Sequence, residues 1–291
     1  MGELYKYENT KRIVDKYDFV FKKKYGQNFL MDESILDEII YSADINKEDV
    51  VLEIGPGIGT LTQLLADKAG HVIAIEIDKD LVKILENDTL KDYNNIEIIY
   101  NDILKMDIVE LISGYKDRKV KVVANLPYYI TTPIIMKLLE SNAPLESITI
   151  MIQKEVAERL VSTHLDKDCG AISLAVQYHS EPSIVCEVSR NAFMPSPNVD
   201  SAVVRLKILK EKRVKVTDEE LFFNLIKVAF GQRRKTLVNG INNQTSYFKN
   251  KEEILKVFDK LGFTPNIRGE KLSMDDYKNL AEEISQRSCV K

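Results

Sequence analysis

Asn125-Leu126-Pro127-Tyr128 holds more chemistry per residue than any other stretch of this chain. The Asn125 amide oxygen and the Leu126 carbonyl can both accept from one exocyclic amine. Such an amine on adenine is a poor nucleophile, because its lone pair is delocalised into the ring. Acceptors placed in this way favour the pyramidal nitrogen that attacks a methyl group. Pro127 restricts Leu126 to an extended conformation and so helps to direct its carbonyl. Tyr128 offers a flat face on which a base can stack. The same four residues also suit an ordinary β-turn, since Asn and Pro are turn formers.

Three acidic segments precede this tetrapeptide. The first is Val51-Leu52-Glu53-Ile54-Gly55-Pro56-Gly57-Ile58-Gly59. Its glycines let the backbone turn sharply and let a ligand approach closely. The spacing is G-x-G-x-G followed by Thr60, which misses the G-x-G-x-x-G of dinucleotide sites and counts against a nicotinamide dehydrogenase. Glu76, in Ile75-Glu76-Ile77-Asp78, ends a second apolar run, where a carboxylate can accept from both hydroxyls of a ribose. Asp102, after Asn101, ends a third and can accept from an adenine amine. Taken singly, the glycine segment is a strand-to-helix turn and each acid a solvated loop residue. Three acids at the ends of successive strands suit a nucleoside ligand without phosphates, including a cationic one.

The elements that position these groups follow from hydrophobic periodicity. Short apolar runs at 50–54, 72–77, 96–100, 120–124 and 148–152 read as buried strands. Helical periods at 60–68, 80–86 and 132–140 separate most of them, and another helix begins at Asp32, its N-cap. Alternation of this kind implies parallel pairing with right-handed crossovers. Ligands on such sheets lie beyond the carboxyl ends of the strands. A helix to about 162, an apolar stretch at 171–178 and late strands at 183–188 and 202–208 follow. From Thr217 the pattern is helical only: 219–230, 252–261 and 274–285. The expected domains are 1–209, with 1–21 as an N-terminal extension, and 210–291.

Composition narrows the function class. A length of 291 residues is a prior for two domains. No apolar run approaches the roughly 18 residues that span a bilayer. The first 21 residues are charged throughout and lack the apolar core of a secretory signal. Cys169, Cys186 and Cys289 are odd in number and far apart, which argues against a disulfide framework and for a reducing cytosol. His71, His164 and His179 lack ligand spacing, so no metal is expected. The net charge is -4, but it is divided: 24 Lys and Arg against 33 Asp and Glu up to Leu209, and 17 against 12 afterwards. Basic clusters occur at Lys22-Lys23-Lys24, at Arg205 and Lys207 with Lys210, Lys212, Arg213 and Lys215, and at Arg233-Arg234-Lys235. Lysine runs are usually solvated faces; as a set, these are candidate RNA contacts.

Glu53 to Gly59, Glu76, Asp102 and the Asn125 tetrapeptide together look like an S-adenosylmethionine-dependent methyltransferase acting on an adenine amine. Gly26-Gln27-Asn28-Phe29-Leu30, Asn191 to Pro197, Val199 to Val204 and Phe230 to Leu237 resemble the rRNA adenine N6-dimethyltransferase family. The best match is its bacterial small-subunit (16S) branch, that of the kasugamycin-sensitivity methyltransferases. The resemblance runs from about Lys22 to the end of the chain; Ser196 replaces a proline of the family's loop motif. It implies a class I methyltransferase fold, Rossmann-like with a mostly parallel sheet, followed by a small all-helical domain that contacts RNA. It implies that Gln27, Asn28, Leu30, Gly55, Gly57, Glu76, Ile77, Asp102 and Asn125 hold S-adenosylmethionine. Asn125, Leu126, Pro127 and Tyr128 would act on the target amine, and Phe193 would stack on the base opposite Tyr128. The implied substrate is a pair of adjacent adenosines in the 3′-terminal hairpin of 16S rRNA, each methylated twice, within an assembling small subunit. The enzyme is expected to be cytoplasmic and monomeric. The alternatives are the sister enzyme of 23S rRNA, which confers macrolide resistance, and a non-catalytic ribosome-assembly factor on the same fold.

Overall fold

The computed structural model describes residues 3–244, 247–248 and 250–288; Cys289 lies outside them. In chain order its elements are α1 (Tyr7–Lys16), β1 (Phe29–Leu30), α2 (Glu33–Ala43), β2 (Val50–Ile54), α3 (Thr60–Lys68), β3 (His71–Glu76), α4 (Lys79–Ile84) and β4 (Ile96–Tyr100). Then come α5 (Ile108–Leu111), β5 (Val120–Asn125), α6 (Thr131–Glu140), β6 (Leu145–Gln153), α7 (Lys154–Val161), α8 (Ala171–His179), β7 (Ser180–Val188), β8 (Phe193–Met194) and β9 (Ser201–Ile208). The last helices are α9 (Glu219–Gly231), α10 (Leu237–Gln244), α11 (Lys251–Lys260) and α12 (Met274–Ser288).

Among the described residues, seven strands form one sheet in the order β4-β3-β2-β5-β6-β9-β7. Strands β4 to β6 pair in parallel, and β9 runs antiparallel to β6. The chain order reverses between β2 and β5, so a crevice opens beyond their carboxyl ends, as in other doubly wound sheets. All five residues of β2 are buried, as expected of a parallel strand covered on both faces. One of the five is Glu53, a carboxylate on a strand otherwise built of Val, Leu and Ile. Helix α2 is capped by the Asp32 side chain, which accepts from the N–H groups of Ser34 and Ile35. Its buried Leu36, Ile39 and Ala43 join Val51, Val123, Met151 and Val203 of the sheet in one apolar cluster.

The charged N-terminal extension also folds. Helix α1 buries Ile13 with Leu4, Phe19, Phe29, Ile58, Leu81 and Ile84. Phe21 stacks obliquely on Phe29, ring centroids 5.1 Å apart. A two-stranded antiparallel ribbon pairs β1 with β8, setting Leu30 opposite Phe193.

The chain divides into two compact units: Met1–Ala157 with Glu181–Ile208, and Glu158–Ser180 with Leu209–Lys291. This differs from a single cut at 209/210, because 158–180 groups with the late helices. Packing gives the reason. Tyr178 on α8 lies against Phe222 and Phe223 of α9, ring centroids 5.4 and 5.1 Å apart, within a cluster that includes Phe258 and Tyr277. Helix α10, in Leu237–Gln244, was not expected from the sequence; its Leu237, Val238 and Ile241 are buried in this cluster, which outweighs the weak helix propensity of its Asn and Gly residues. No helix among the described residues is long and apolar enough to cross a membrane.

Candidate active site

The carboxyl ends of β2, β3 and β5 and the segments after β3, β4 and β5 line one cavity, closed on a further side by Tyr25 to Leu30. Gly55, Gly57 and Gly59 all have positive φ, which a side chain would strain. At Gly57 a Cβ would also meet the Phe29 ring at 3.1 Å, so this backbone sits close against the N-terminal segment. Glu76 ends β3 buried, accepting the Asp78 N–H at Oε1 (2.8 Å) and the Gly57 N–H at Oε2 (3.4 Å). Ile77 is partly exposed at the rim. Asp102 accepts the Leu104 N–H (3.0 Å), which fixes its carboxylate at the end of β4.

Asn125 is the last residue of β5, and its Nδ2 donates to the Asn28 carbonyl (3.1 Å). That bond orients the amide and leaves its oxygen to face other groups. The Leu126 N–H donates to Met151 (3.1 Å), pinning the peptide ahead of Pro127. The Tyr128 hydroxyl shares a 2.6 Å hydrogen bond with the Ser201 hydroxyl on β9. Burial raises the Tyr128 phenol above its ordinary value.

Glu53, Glu76 and Asp102 line the cavity, and no Lys, Arg or His among the described residues does so. Burial pushes Glu53 up to about 8, against the opposing pull of the neighbouring Thr62 hydroxyl and with the like charge of Glu76 adding to it. Glu53 Oε2 is buried and has no hydrogen-bond partner among the described residues. Glu76 is raised to about 7 by burial, against the opposing pull of the N–H groups of Asp78 and Gly57. The site is thus poor for a phosphate and well suited to a neutral or cationic nucleoside. Its glycine cradle, the two carboxylate oxygens of Glu76 and the orphaned Glu53 oxygen fit S-adenosylmethionine, which carries a ribose, an adenine, a sulfonium, an amine and a carboxylate.

Comparison with known proteins agrees with this chemistry. A family model described as "Ribosomal RNA adenine dimethylase" matches residues 18–286. The chain belongs to this family. A relative named "Ribosomal RNA small subunit methyltransferase A" from Lachnoclostridium phytofermentans is 52% identical over 281 residues, covering 96% of this chain and 97% of that protein. Another of the same name, from Alkaliphilus metalliredigens, is 46% identical over 288 residues, covering 99% and 100%. Among solved structures, a dimethyladenosine transferase from Plasmodium falciparum superposes with a TM-score of 0.77 at 28% identity, covering 89% of this chain and 98% of that one. A 23S rRNA methyltransferase superposes at 0.66 and 26% identity, covering 89% and 100%. The fold is that of the class I S-adenosylmethionine-dependent methyltransferases.

Within this rRNA adenine dimethylase fold, all nine expected cofactor residues converge on one cavity: Gln27, Asn28, Leu30, Gly55, Gly57, Glu76, Ile77, Asp102 and Asn125 line it. Leu126, Pro127 and Tyr128 do so as well. Phe193 stands apart. It is 6% exposed and packs in the apolar cluster beneath α2, not on the cavity wall. The Gln27 side-chain amide donates to Asp78 Oδ2 (2.7 Å). Sequence reasoning missed the roles of Asp78 and Ser201, whose partners lie far away along the chain.

The basic clusters divide on inspection. Lys22 is bound to Asp78 and Asp80. The Lys23 side chain lies outside the described residues. Arg205 is half-buried on β9 with its Nε enclosed and without a partner among the described residues, and Lys207 is exposed. Lys212 pairs with Glu219, Lys215 with Glu211, and Arg213 donates to the carbonyls of Gln177 and Ser180. Arg233 donates to the carbonyls of Lys167 and Cys169 and lies over the Phe230 ring. Arg234 and Lys235 are exposed. Lys22, Lys212, Arg213, Lys215 and Arg233 therefore have partners within the protein, the Lys215–Glu211 pair being exposed.

Proposed function

We propose that this chain transfers methyl groups from S-adenosylmethionine to N6 of two adjacent adenosines in the 3′-terminal hairpin of 16S rRNA, twice each, on a small subunit under assembly. The observation that carries this is the opening of the Asn125-Leu126-Pro127-Tyr128 turn onto the cavity that holds Glu76 and Asp102. An amine-orienting turn and a nucleoside-binding rim in one cavity suit transfer between two adenine-bearing partners. Relatives named for the small subunit, 52% and 46% identical over nearly the whole chain, support that substrate over 23S rRNA.

When bound, S-adenosylmethionine supplies an electrophilic methyl on its sulfonium. Glu76 accepts from the ribose hydroxyls, Asp102 accepts from the adenine amine, and Gly55 and Gly57 let the backbone approach. Gln27, Asn28 and Leu30 border the methionine end, and Ile77 packs on the adenine. The target base must leave its stack, at a cost of a few kcal/mol unless it already lies in a loop. Tyr128 then stacks on the base, while Asn125 Oδ1 and the Leu126 carbonyl accept from its amine. Those two bonds strengthen as the nitrogen becomes pyramidal, so they favour the transition state over the bound substrate. Stacking by Phe193 on the opposite face requires its ring to leave the apolar contacts that bury it here. Arg205, Lys207, Arg234 and Lys235 are the proposed RNA contacts that the described side chains leave open to solvent, wholly or in part. The protein acts as a cytoplasmic monomer in this reading.

Undermethylated small subunits incubated with methyl-labelled cofactor test the proposal. Label should enter 16S rRNA, with primer extension stopping at two adjacent adenosines of the 3′-terminal hairpin. Stops in 23S rRNA instead, or binding to the subunit without transfer, would overturn it.

A further inference from the structure

Asp78 stands two residues after Glu76 and is 1% exposed, yet its carboxylate is fully engaged. Oδ1 accepts from Lys22 Nζ (2.5 Å) and from the Asp80 N–H (3.1 Å), and Oδ2 accepts from Gln27 Nε2 (2.7 Å). Gln27 Oε1 in turn accepts the Lys22 backbone N–H (2.7 Å). Lys22, Asp78 and Gln27 thus close a ring of hydrogen bonds that ties 22–27 to the end of β3. Two more bonds run from this ring into the active site. The Asp78 N–H holds Glu76 Oε1, and the Asn28 carbonyl, one residue past Gln27, holds the Asn125 amide.

We propose that Lys22, Asp78 and Gln27 are positioning residues that set the N-terminal wall of the cofactor cavity against Glu76 and, through Asn28, aim Asn125. The inference rests on the cofactor reading given above. A buried carboxylate is tolerated when its charge is paired and its oxygens are hydrogen-bonded. Lys22 is 30% exposed at its side chain, and its ammonium reaches both the buried Asp78 and the exposed Asp80 (2.5 and 2.7 Å), so its charge is paired within the protein. Its charge is then spent on the wall of the site and not on a phosphate. Loss of the ammonium leaves Asp78 with an uncompensated charge beside Glu76, and the ring opens. The segment carrying Asn28 loses its tie to β3, and a small displacement of a positioned amide is enough to slow transfer.

The experiment compares wild type, Lys22→Met, Lys22→Arg and Gln27→Leu by calorimetry with S-adenosylmethionine, by single-turnover transfer, and by RNA binding at several salt concentrations. Lys22→Met should weaken cofactor binding by about ten-fold and slow single-turnover transfer by about ten-fold or more. The slope of log Kd for RNA against log salt should stay at the wild-type value. Lys22→Arg, which keeps the charge, should recover most of the cofactor affinity. Gln27→Leu removes the other arm of the ring, leaves both charges and should reproduce the loss. Wild-type cofactor affinity in Lys22→Met with a salt slope lower by about one would make Lys22 a phosphate contact and overturn the proposal. Wild-type cofactor affinity in Gln27→Leu overturns it as well, even should Lys22→Met fail to fold. A wild-type protein that does not bind S-adenosylmethionine would overturn the underlying cofactor reading.

Discussion

Glu53→Gln should stabilise the cofactor-free protein in a pH-dependent way. Glu53 is 1% exposed with an unpartnered Oε2, and burial pushes it from an ordinary 4.5 up to about 8. Between those two values the folded chain holds a proton that the unfolded chain has released. Stability conferred by the neutral acid is therefore lost steadily as pH rises through that window, and the loss levels off above about pH 8. At 1.36 kcal/mol per pH unit, ionisation of this one group costs about 1 kcal/mol of folding free energy at pH 5 and about 4 kcal/mol at pH 8. Gln keeps the shape and removes the titration. The stability difference between variant and wild type should then grow by about 3 kcal/mol from pH 5 to pH 8. Denaturant unfolding of both proteins, without cofactor, at half-unit pH intervals measures it. The difference cancels the groups that do not interact with Glu53, including His179, which burial lowers to about 4; Glu76, whose charge adds to the shift of Glu53, remains part of the measured change. In wild type, affinity for the cationic cofactor should strengthen over the same interval, and in Glu53→Gln this dependence should flatten. A stability difference that does not vary with pH would mean that Glu53 is not held neutral, and would refute the electrostatic account of the cavity.

Asn125→Ala should reduce single-turnover methyl transfer by on the order of 10²–10³, with a smaller effect on RNA affinity; rapid-quench kinetics on subunits would show an equal loss in both should the contact be a ground-state one. Tyr128→Phe should cost about 1 kcal/mol through the lost bond to Ser201 and slow transfer by no more than about ten-fold, whereas abolition of activity would assign the phenol a proton-transfer role. Arg234→Ala with Lys235→Ala should lower the salt slope of subunit binding by about one per lost phosphate contact without changing the thermal midpoint. Arg233→Ala should instead lower the midpoint, since its guanidinium holds the carbonyls of Lys167 and Cys169; unchanged melting would return Arg233 to the RNA-facing set.

The sheet was legible because parallel strands buried on both faces are unbroken apolar runs. Val50–Ile54 and Val120–Asn125 begin where the sequence predicts and end there or one residue later. Elements whose stability comes from distant packing were not. Helix α1 has few apolar residues, and its buried Ile13 makes sense only once Phe19, Phe29 and Ile58 gather around it. The two residues of β1 carry no periodicity and are a strand only because Phe193 and Met194 lie opposite. Tyr178 reads as part of the sheet domain by its place in the chain, and its contacts with Phe222 and Phe223 give α8 to the helices.

The same division runs through the site. Asn125 to Tyr128, Glu76 and Asp102 were readable because each stands at the end of a strand, where local sequence alone fixes the position. Lysines have no such local signature. Lys22 sits in a run of three and reads as a cation for RNA, but its partner Asp78 is 56 positions away. Arg233 likewise meets Cys169 across 64 positions, and the Tyr128 hydroxyl finds Ser201 across 73. Charge runs record only that cations are present. Whether a cation faces a phosphate or an internal acid depends on contacts that sequence spacing does not encode. Lys22 and Arg233 therefore separate from Lys207, Arg234 and Lys235 by a physical criterion, the presence of a protein partner, and the salt slope of RNA binding measures that criterion directly.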